Sequence, residues 1–318
     1  MSYILIIWWK HSESFFMKHY RGLFLIDLVK KIDPSIKPII INKDSYQGIR
    51  NEKIIVDDKH ISYKYIKWAY FISSSWSFSQ LPGLYHFIQE YNIPCNINDY
   101  SIKMRSKIFQ AIHFLKHNIP HPLSKVFQSK NKFIQRLETT NTFHNSSKVV
   151  LKLPVSNGWQ WVFLLDLHQK EQILKSLDHY FKEWYNKESE WILVQEFIPR
   201  SSWIDYRFVV IKGHISIIYR RYNPNDFKSN CKTGWKMGII QPEWLNSKTY
   251  KKISKLINNI YDITHMDYFT ADFMINDTLL KLCEINPVWS FYSSRFWPEA
   301  TSNLIVAKKY LKDIYNIS

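Results

Sequence analysis

YFTADFMINDTLLKLCEINP, residues 268–287, is the stretch that decides the fold. Two apolar runs flank the turn former Asn276-Asp277-Thr278, which predicts a β-hairpin. Glu284 and Asn286 stand two apart on the second strand, so both side chains leave the same face. A three-residue turn at 277–279 sets Asp272 directly across from Glu284 on that face. Two carboxylates and an amide oxygen placed together suit magnesium, which takes hard oxygen ligands and keeps places for water and phosphate. The competing reading is an ordinary sheet with a few polar residues at its wet end.

Upstream of the hairpin, residues 248–266 place Ile253, Leu256, Ile257 and Ile260 on one helical face. Phe208–Ile211 and His214–Tyr219 read as strands joined at Lys212-Gly213, and Lys148–Leu153 as a β-branched strand. Between residues 98 and 122, Ile108, Ile112 and Leu115 have the spacing of a helix core face. His113, His117 and His121 step by four, but Pro120 breaks the helix and no acidic fourth ligand accompanies them. Further out, residues 1–95 alternate strands (Tyr3–Trp9, Lys37–Ile41, Lys53–Val56, Trp68–Ile72) with helices (Ser14–Lys31, Gln80–Tyr91), the pattern of a parallel sheet. Gly22, Gly48 and Gly83 are isolated, so this part carries no glycine-rich dinucleotide fingerprint.

With 318 residues, 46% of them hydrophobic, the chain fits two or three packed lobes. Lys and Arg number 43 against 27 acidic residues, a net charge of +16 that favours anionic partners. An AT-rich coding bias toward Lys, Asn, Ile and Tyr accounts for part of that excess. The basic residues form no long run and no nucleic-acid motif, which argues against a nucleic-acid partner. Cys95, Cys231 and Cys283 are far apart and lack CxxC spacing, so neither a zinc site nor a disulfide framework is expected, as in a reducing cytoplasm. The first apolar run is seven residues, too short for a signal peptide or a membrane span.

Asp272 followed by Glu284-Ile285-Asn286-Pro287 resembles the last strand pair of the ATP-grasp enzymes, most of all the RimK-type carboxylate–amine ligases. Other segments resemble that family in the same order. Lys107 stands at its first nucleotide-contacting lysine, with Ser106 where an aspartate is usual, and Asn118-Ile119-Pro120-His121-Pro122 is similar to its entry turn. Lys152 resembles its second lysine, and Gln195-Glu196-Phe197-Ile198 its adenine-holding hinge. Asp205-Tyr206-Arg207 and Phe227-Lys228-Ser229-Asn230 follow in place, with lysine for arginine in the second.

The resemblance implies an α/β chain: an N-terminal parallel-sheet lobe over 1–97, then a two-lobed grasp divided into 98–190 and 191–318. It implies ATP bound by Lys107, Lys152, Gln195, Glu196, Phe197, Ile198, Asp205 and Asn230. Magnesium, or manganese in its place, would be held by Asp272, Glu284 and Asn286. Arg207 with Arg220 or Arg221 would face the reacting phosphate; counting back from Asn230 favours Arg220, counting forward from Gly213 favours Arg221. The implied activity is an ADP-forming ligase acting through an acyl phosphate, on an amino acid, peptide or protein of acidic character, as a cytoplasmic homo-oligomer without a membrane anchor. One departure supports an alternative, a non-catalytic nucleotide-binding scaffold: the phosphate-covering loop 155–162 keeps only Gly158, with Trp159 and Trp161 beside Gln160.

Overall fold

The computed structural model describes residues 2–7, 26–27, 29–31, 33–42, 44–71, 82–139, 143, 147–152, 154, 162–184, 191–199, 204–222, 236–287 and 312. The first apolar run forms β1 (Ser2–Ile7), which pairs in parallel with β2 (Ile36–Ile41). Lys53–Val56 does not join that sheet as its place in the alternation suggests. It is β4 of a separate antiparallel meander between β3 (Tyr46–Arg50) and β5 (Lys59–Ser62). The cause is local: Asn51-Glu52 and Asp57-Asp58 all have φ between 47° and 59°, the geometry of two-residue hairpin turns. β6 (Ile66–Phe71) completes the parallel sheet, in the order β2-β1-β6. Its middle strand buries Ile4, Leu5, Ile6 and Ile7 fully, as an unbroken apolar run requires. α1 (Pro82–Glu90) packs Leu84, Phe87 and Ile88 into the core of this lobe. Of the helix expected over Ser14–Lys31, only 26–27 and 29–31 are described, and they are helical.

α2 (Asp99–Lys103) and α3 (Lys107–Lys116) follow. α2 is fixed by Asn98, whose side chain accepts from Ser101 N at 2.8 Å while its amide donates to Thr264 O and His265 O. Asn118 takes φ 52° after α3, a left-handed position that asparagine tolerates. The core face expected for α3 is corrected. Ile112 and Leu115 are 56% and 71% exposed, whereas Lys107, Gln110, Ala111, His113 and Phe114 are buried. Apolar spacing misleads because the polar residues on the inner face find partners there.

The second sheet contains β7 (Ser124–Phe127), β8 (Lys148–Lys152), β9 (Val162–Asp166) and β10 (Ile192–Glu196), all antiparallel, in the order β7-β10-β8-β9. Val149, Leu151, Leu165, Ile192 and Val194 face a core shared with Phe133 of α4 (Lys130–Thr139) and with Ile173 and Leu177 of α5 (Lys170–Trp184). The third sheet is antiparallel and five-stranded, built from β11 (Ile204–Ile211), β12 (His214–Tyr222), β13 (Lys236–Ile240), β14 (Tyr268–Ile275) and β15 (Leu280–Asn286). Its order is β13-β12-β11-β14-β15. Phe208, Val210, Ile218, Phe269, Phe273, Leu282 and Ile285 form one apolar core with Ile253, Ile257 and Ile260 of α6 (Ser247–Thr264). α6 starts at Asn246, whose side chain accepts from Lys248 N at 2.9 Å. Met104, Phe114 and Ile119 join this third core. The β11–β12 turn needs its glycine twice over: Gly213 has φ 77°, and a Cβ there would stand 3.0 Å from the Tyr261 ring.

Every residue of β14 is buried. One face of the strand is taken by the core, so its polar residues Asp272 and Thr270 are enclosed on the other. That face is where the chemistry lies.

Candidate active site

The hairpin β14–β15 brings Asp272 opposite Glu284 by a route different from the expected three-residue turn. The turn is even: Asn276 N donates to Leu279 O at 2.9 Å, leaving Asp277-Thr278 as a two-residue loop. The Asn276 side chain holds it by accepting from Thr278 N at 2.8 Å and Leu279 N at 2.5 Å. From there Ile275 pairs with Leu280, Met274 with Lys281 and Phe273 with Leu282. Continued, that register would set Asp272 against Cys283. A β-bulge takes up Cys283 instead, and Asp272 pairs with Glu284, Ala271 with Ile285 and Thr270 with Asn286. Leu282 and Ile285 stay in the core, while both carboxylates lie on the opposite face.

On the other side of β14, Asp272 pairs with Arg207. Arg207, Asp272 and Glu284 therefore form one row across three strands. Arg207 grips Asp272 with two parallel hydrogen bonds, Nε to Oδ1 and Nη2 to Oδ2, each 2.7 Å. Arg221 Nη2 lies 3.0 Å from Asp272 Oδ2 and donates to Asp205 Oδ1 at 2.6 Å. Burial alone would raise the Asp272 pKa, but Arg207 and Arg221 outweigh it and hold the group at about 2. Burial likewise works against the Arg207 cation, and Asp272 overcomes it, so that guanidinium is more strongly protonated than usual.

A second bulge decides between the two arginines that spacing leaves open. Beyond Lys212-Gly213, Ile211 pairs with His214 and Val210 with Ile215, a register that would set Arg220 against Asp205. The register shifts at Ser216, so Val209 pairs with Ile217 and Asp205 with Arg221. Arg221 is buried among the carboxylates, whereas Arg220, one residue away, is exposed and pairs with the core-facing Tyr206. Arg220 therefore does not join the row.

The lysines reach the same face from the facing elements. Lys107, at the start of α3, sets Nζ 3.3 Å from Glu284 Oε1, and its backbone N donates to Pro154 O at 2.7 Å. Ser106 caps the helix by accepting from Phe109 N at 3.2 Å, the work an aspartate would otherwise do there. Lys152, at the end of β8, places Nζ 3.7 Å from Cys283 Sγ. Burial raises the Cys283 pKa, with Lys152 opposing. A narrow cavity between the sheets is lined by Lys107, Gln110, Lys152, Gln195, Cys283 and Glu284. Gln195 Nε2 donates to Ser124 Oγ at 2.8 Å. Glu196 ties the hinge down through main chain and side chain: its N donates to Leu123 O at 2.8 Å, and its carboxylate accepts from Leu123 N at 2.8 Å and pairs with Lys281 of β15. Phe197 N donates to Lys148 O at 3.3 Å, and Ile198 follows half-buried. Asn230, the loop 155–161 and the aromatic segment 289–297 lie outside the described residues. Gln110, Cys283 and Lys281 are not among the expected site residues; the strand register brings in Cys283 and Lys281, and the packing of α3 against β15 brings in Gln110.

Among the described residues, no group of three His, Cys, Asp or Glu includes the histidine series. His113 stacks on Phe109 with ring centroids 5.7 Å apart and meets His117 at a tilt, 4.4 Å away, and its buried Nε2 has no hydrogen-bond partner among the described residues. His121 Nδ1 is 2.8 Å from Ile119 O. Burial lowers the His113 pKa from 6.5 to about 4, with His117 and Lys116 adding to the effect. His113 stays neutral in the fold, whereas the unfolded chain takes up its proton near pH 6.5. Stability from this group is full above that value and is lost progressively as pH falls toward 4. A His113→Phe variant should lose less melting temperature than the wild type between pH 6.5 and 4, and parallel losses across that window would show that His113 contributes nothing.

Asp272, Glu284 and Asn286 offer only hard oxygen donors, from one face of one hairpin. Among the described residues no three His, Cys, Asp or Glu side chains gather as a ready-made metal cage. Two carboxylates and an amide suit magnesium, which leaves much of its coordination to water and phosphate. Among the described residues, Asn286 Nδ2 and, across from it, Thr270 Oγ1 are buried without hydrogen-bond partners, so this corner holds polar groups that a bound ligand can satisfy.

Comparison with known proteins agrees with this geometry. A family model described as the RimK-like ATP-grasp domain matches residues 104–293. The uncharacterized protein MG011 of Mycoplasma genitalium is 24% identical over 208 residues, 59% of this chain and 66% of that protein, just under two thirds of its length. Among solved structures, D-alanyl-alanine synthetase A from Vibrio cholerae superposes with a TM-score of 0.71 at 13% identity, over 99% of this chain and 98% of that one. D-alanine–D-alanine ligase from Bacillus anthracis, complexed with ATP, gives 0.71 at 14% identity, over 100% and 97%. The RiPP-associated ATP-grasp ligase of Chryseobacterium gregarium, in complex with ADP and a leader and core peptide, gives 0.63 at 13% identity, over 100% and 98%. The fold is thus that of the ATP-grasp enzymes, over the described part of the N-terminal lobe as well as the matched region. With the family model covering more than half of its length, the chain belongs to the RimK-like ATP-grasp family.

Proposed function

We propose that this protein is an ATP- and magnesium-dependent carboxylate–amine ligase working through an acyl phosphate. The observation that carries the reading is the row Arg207–Asp272–Glu284, facing the same cleft as Lys107 and Lys152. In this reading ATP lies between the second and third sheets, with adenine near Gln195–Ile198 and phosphates near Lys107 and Lys152; Asp205 and Asn230 complete the nucleotide set. Magnesium held by Asp272, Glu284 and Asn286 would supply positive charge beside the phosphates, a role manganese can share. A substrate carboxylate oxygen attacks the γ-phosphorus, the bond to the β-phosphate oxygen breaks, and ADP leaves. An amine then attacks the acyl carbon, inorganic phosphate departs, and the nitrogen loses a proton to give the amide.

Arg207 and Arg221 would stabilise oxyanion charge on the transferring group, with Asp205 holding Arg221 by two hydrogen bonds. The three-lobe division at 97/98 and 190/191 belongs to the same proposal. It is supported by three separate apolar cores among the described residues, although Met104, Phe114 and Ile119 pack with the third. The peptide bound to the Chryseobacterium ligase and the net charge of +16 favour a peptide or protein substrate with acidic groups. We place the reaction in the cytoplasm, in a homo-oligomer; no helix among the described residues is long and apolar enough to cross a membrane.

The test is product stoichiometry across amino acids and acidic peptides. Turnover should release ADP and inorganic phosphate in equal amounts and stall without the amine. AMP with pyrophosphate would overturn the γ-attack mechanism, and nucleotide binding without turnover on any substrate would favour the scaffold alternative.

A further inference from the structure

Gln110 is buried one helical turn beyond Lys107, on the same inward face of α3. Its carboxamide makes three hydrogen bonds. Nε2 donates to Met104 O at 2.5 Å and to Ile285 O at 2.8 Å, and Oε1 accepts from Ile285 N at 2.9 Å. Ile285 is the residue between Glu284 and Asn286. β15 is the outer strand of its sheet, and Gln110 meets both main-chain groups of Ile285 as a neighbouring strand would. On the other side of the Cys283 bulge, Leu282 N donates to Pro120 O at 2.7 Å. The outer edge of β15 is therefore pinned on both sides of its bulge by the segment that also carries Lys107.

We propose that Gln110 is a positioning residue for Glu284 and Asn286, and that α3 sets the metal-binding pair and a phosphate-binding lysine as one unit. A bulged outer strand has a locally broken ladder, so its side chains are aimed poorly by sheet pairing alone. Fixing the amide and carbonyl of Ile285 fixes the chain on either side of it, hence the directions in which Glu284 and Asn286 leave the strand. A carboxamide suits this task because one flat group offers a donor and an acceptor together. The apolar Ile285 side chain remains in the core and anchors the same residue from within. The inference rests on the ligase reading in that it takes Glu284 and Asn286 as metal ligands.

Manganese(II) binding to the ADP-loaded chain tests it, read from the electron paramagnetic resonance signal of the free ion. Gln110→Met keeps the side-chain length and removes all three bonds. Gln110→Glu keeps the acceptor for Ile285 N and loses both donations. In each variant that melts cooperatively without metal, the manganese dissociation constant should rise tenfold or more. Each variant is compared at saturating ADP, its ADP affinity being measured separately in EDTA. Manganese affinity within twofold of wild type in either variant would overturn the inference. Wild-type amide exchange without metal provides a check that needs no variant: Ile285 N–H should exchange at least a hundredfold more slowly than an open chain, and open-chain exchange would overturn the inference equally. If wild-type chain with ADP binds no manganese, the ligase reading fails; if it binds and the variants match it, only the role of Gln110 does.

Discussion

An Asp272→Asn variant should lose ATP turnover and much of its stability together. The Asp272 carboxylate is 6% exposed and is held by Arg207 through two hydrogen bonds and by Arg221 at 3.0 Å. An amide fills the same volume but cannot neutralise two buried guanidinium groups. Breaking a buried pair by removing one partner costs about 3–5 kcal/mol. With an oxygen still able to accept, the lower end is expected, about 3 kcal/mol, or roughly 6–12 °C in melting temperature for a chain of this size. Acid should imitate the substitution. The Asp272 pKa is depressed to about 2, so its contribution is full above the ordinary carboxylate value of 3.8 and disappears as pH falls from there toward 2. The measurement is a pair of melting curves, at pH 7 and pH 2.5. The variant should melt well below the wild type at pH 7, and the gap should narrow at pH 2.5; an unchanged gap would show that the arginines do not need this charge.

Glu284→Gln should separate what Asp272→Asn couples. Its side chain is 28% exposed, and among the described residues its ion pair is with Lys107 at 3.3 Å. A partly solvated pair of this kind is worth about 1 kcal/mol or less, so the metal-free melting temperature should move by only a few degrees. Turnover should still collapse. Replacing groups that merely support a metal ligand costs about 10–100-fold, so loss of a charged ligand should exceed about a hundredfold. Rates and melting curves on the same preparation decide the matter. Wild-type turnover in the variant would assign Glu284 a structural role and remove the row from the mechanism.

Much of this site is legible in the sequence because a β-strand has a strict period of two. Glu284 and Asn286 share a face whatever the turn does, and Asp272 joins them once its register is even. The way that register arises is not legible. Spacing suggests a three-residue turn, and the chain uses a two-residue turn with Cys283 as the extra residue. The same kind of irregularity at Ser216 changes which of Arg220 and Arg221 stands across from Asp205, and spacing alone does not show it. α3 misleads for another reason. Ile112 and Leu115 have core spacing, but the helix turns inward the residues with specific partners, Lys107 toward Glu284 and Gln110 toward Ile285. Hydrophobic periodicity reports a face only when apolar burial is what chooses it. The meander at 46–62 was hidden because its short strands look like members of an alternating sheet until the left-handed turn residues between them are seen.

The bulges at Ser216 and Cys283 also bear on how such a chain can change over generations. Each stands between a hairpin turn and a pair of charged residues set across from one another, Asp205 and Arg221 in one case and Asp272 and Glu284 in the other. A deletion of Ser216 or of Cys283 leaves those partners across from one another, because only the surplus residue goes. A one-residue insertion or deletion at Asp277-Thr278 can be absorbed where the ladder is already broken, whereas the other turn must keep Gly213. The length of the β14–β15 hairpin is thereby uncoupled from ligand placement. A lineage can accumulate length changes at that turn while purifying selection acts on the charged row alone.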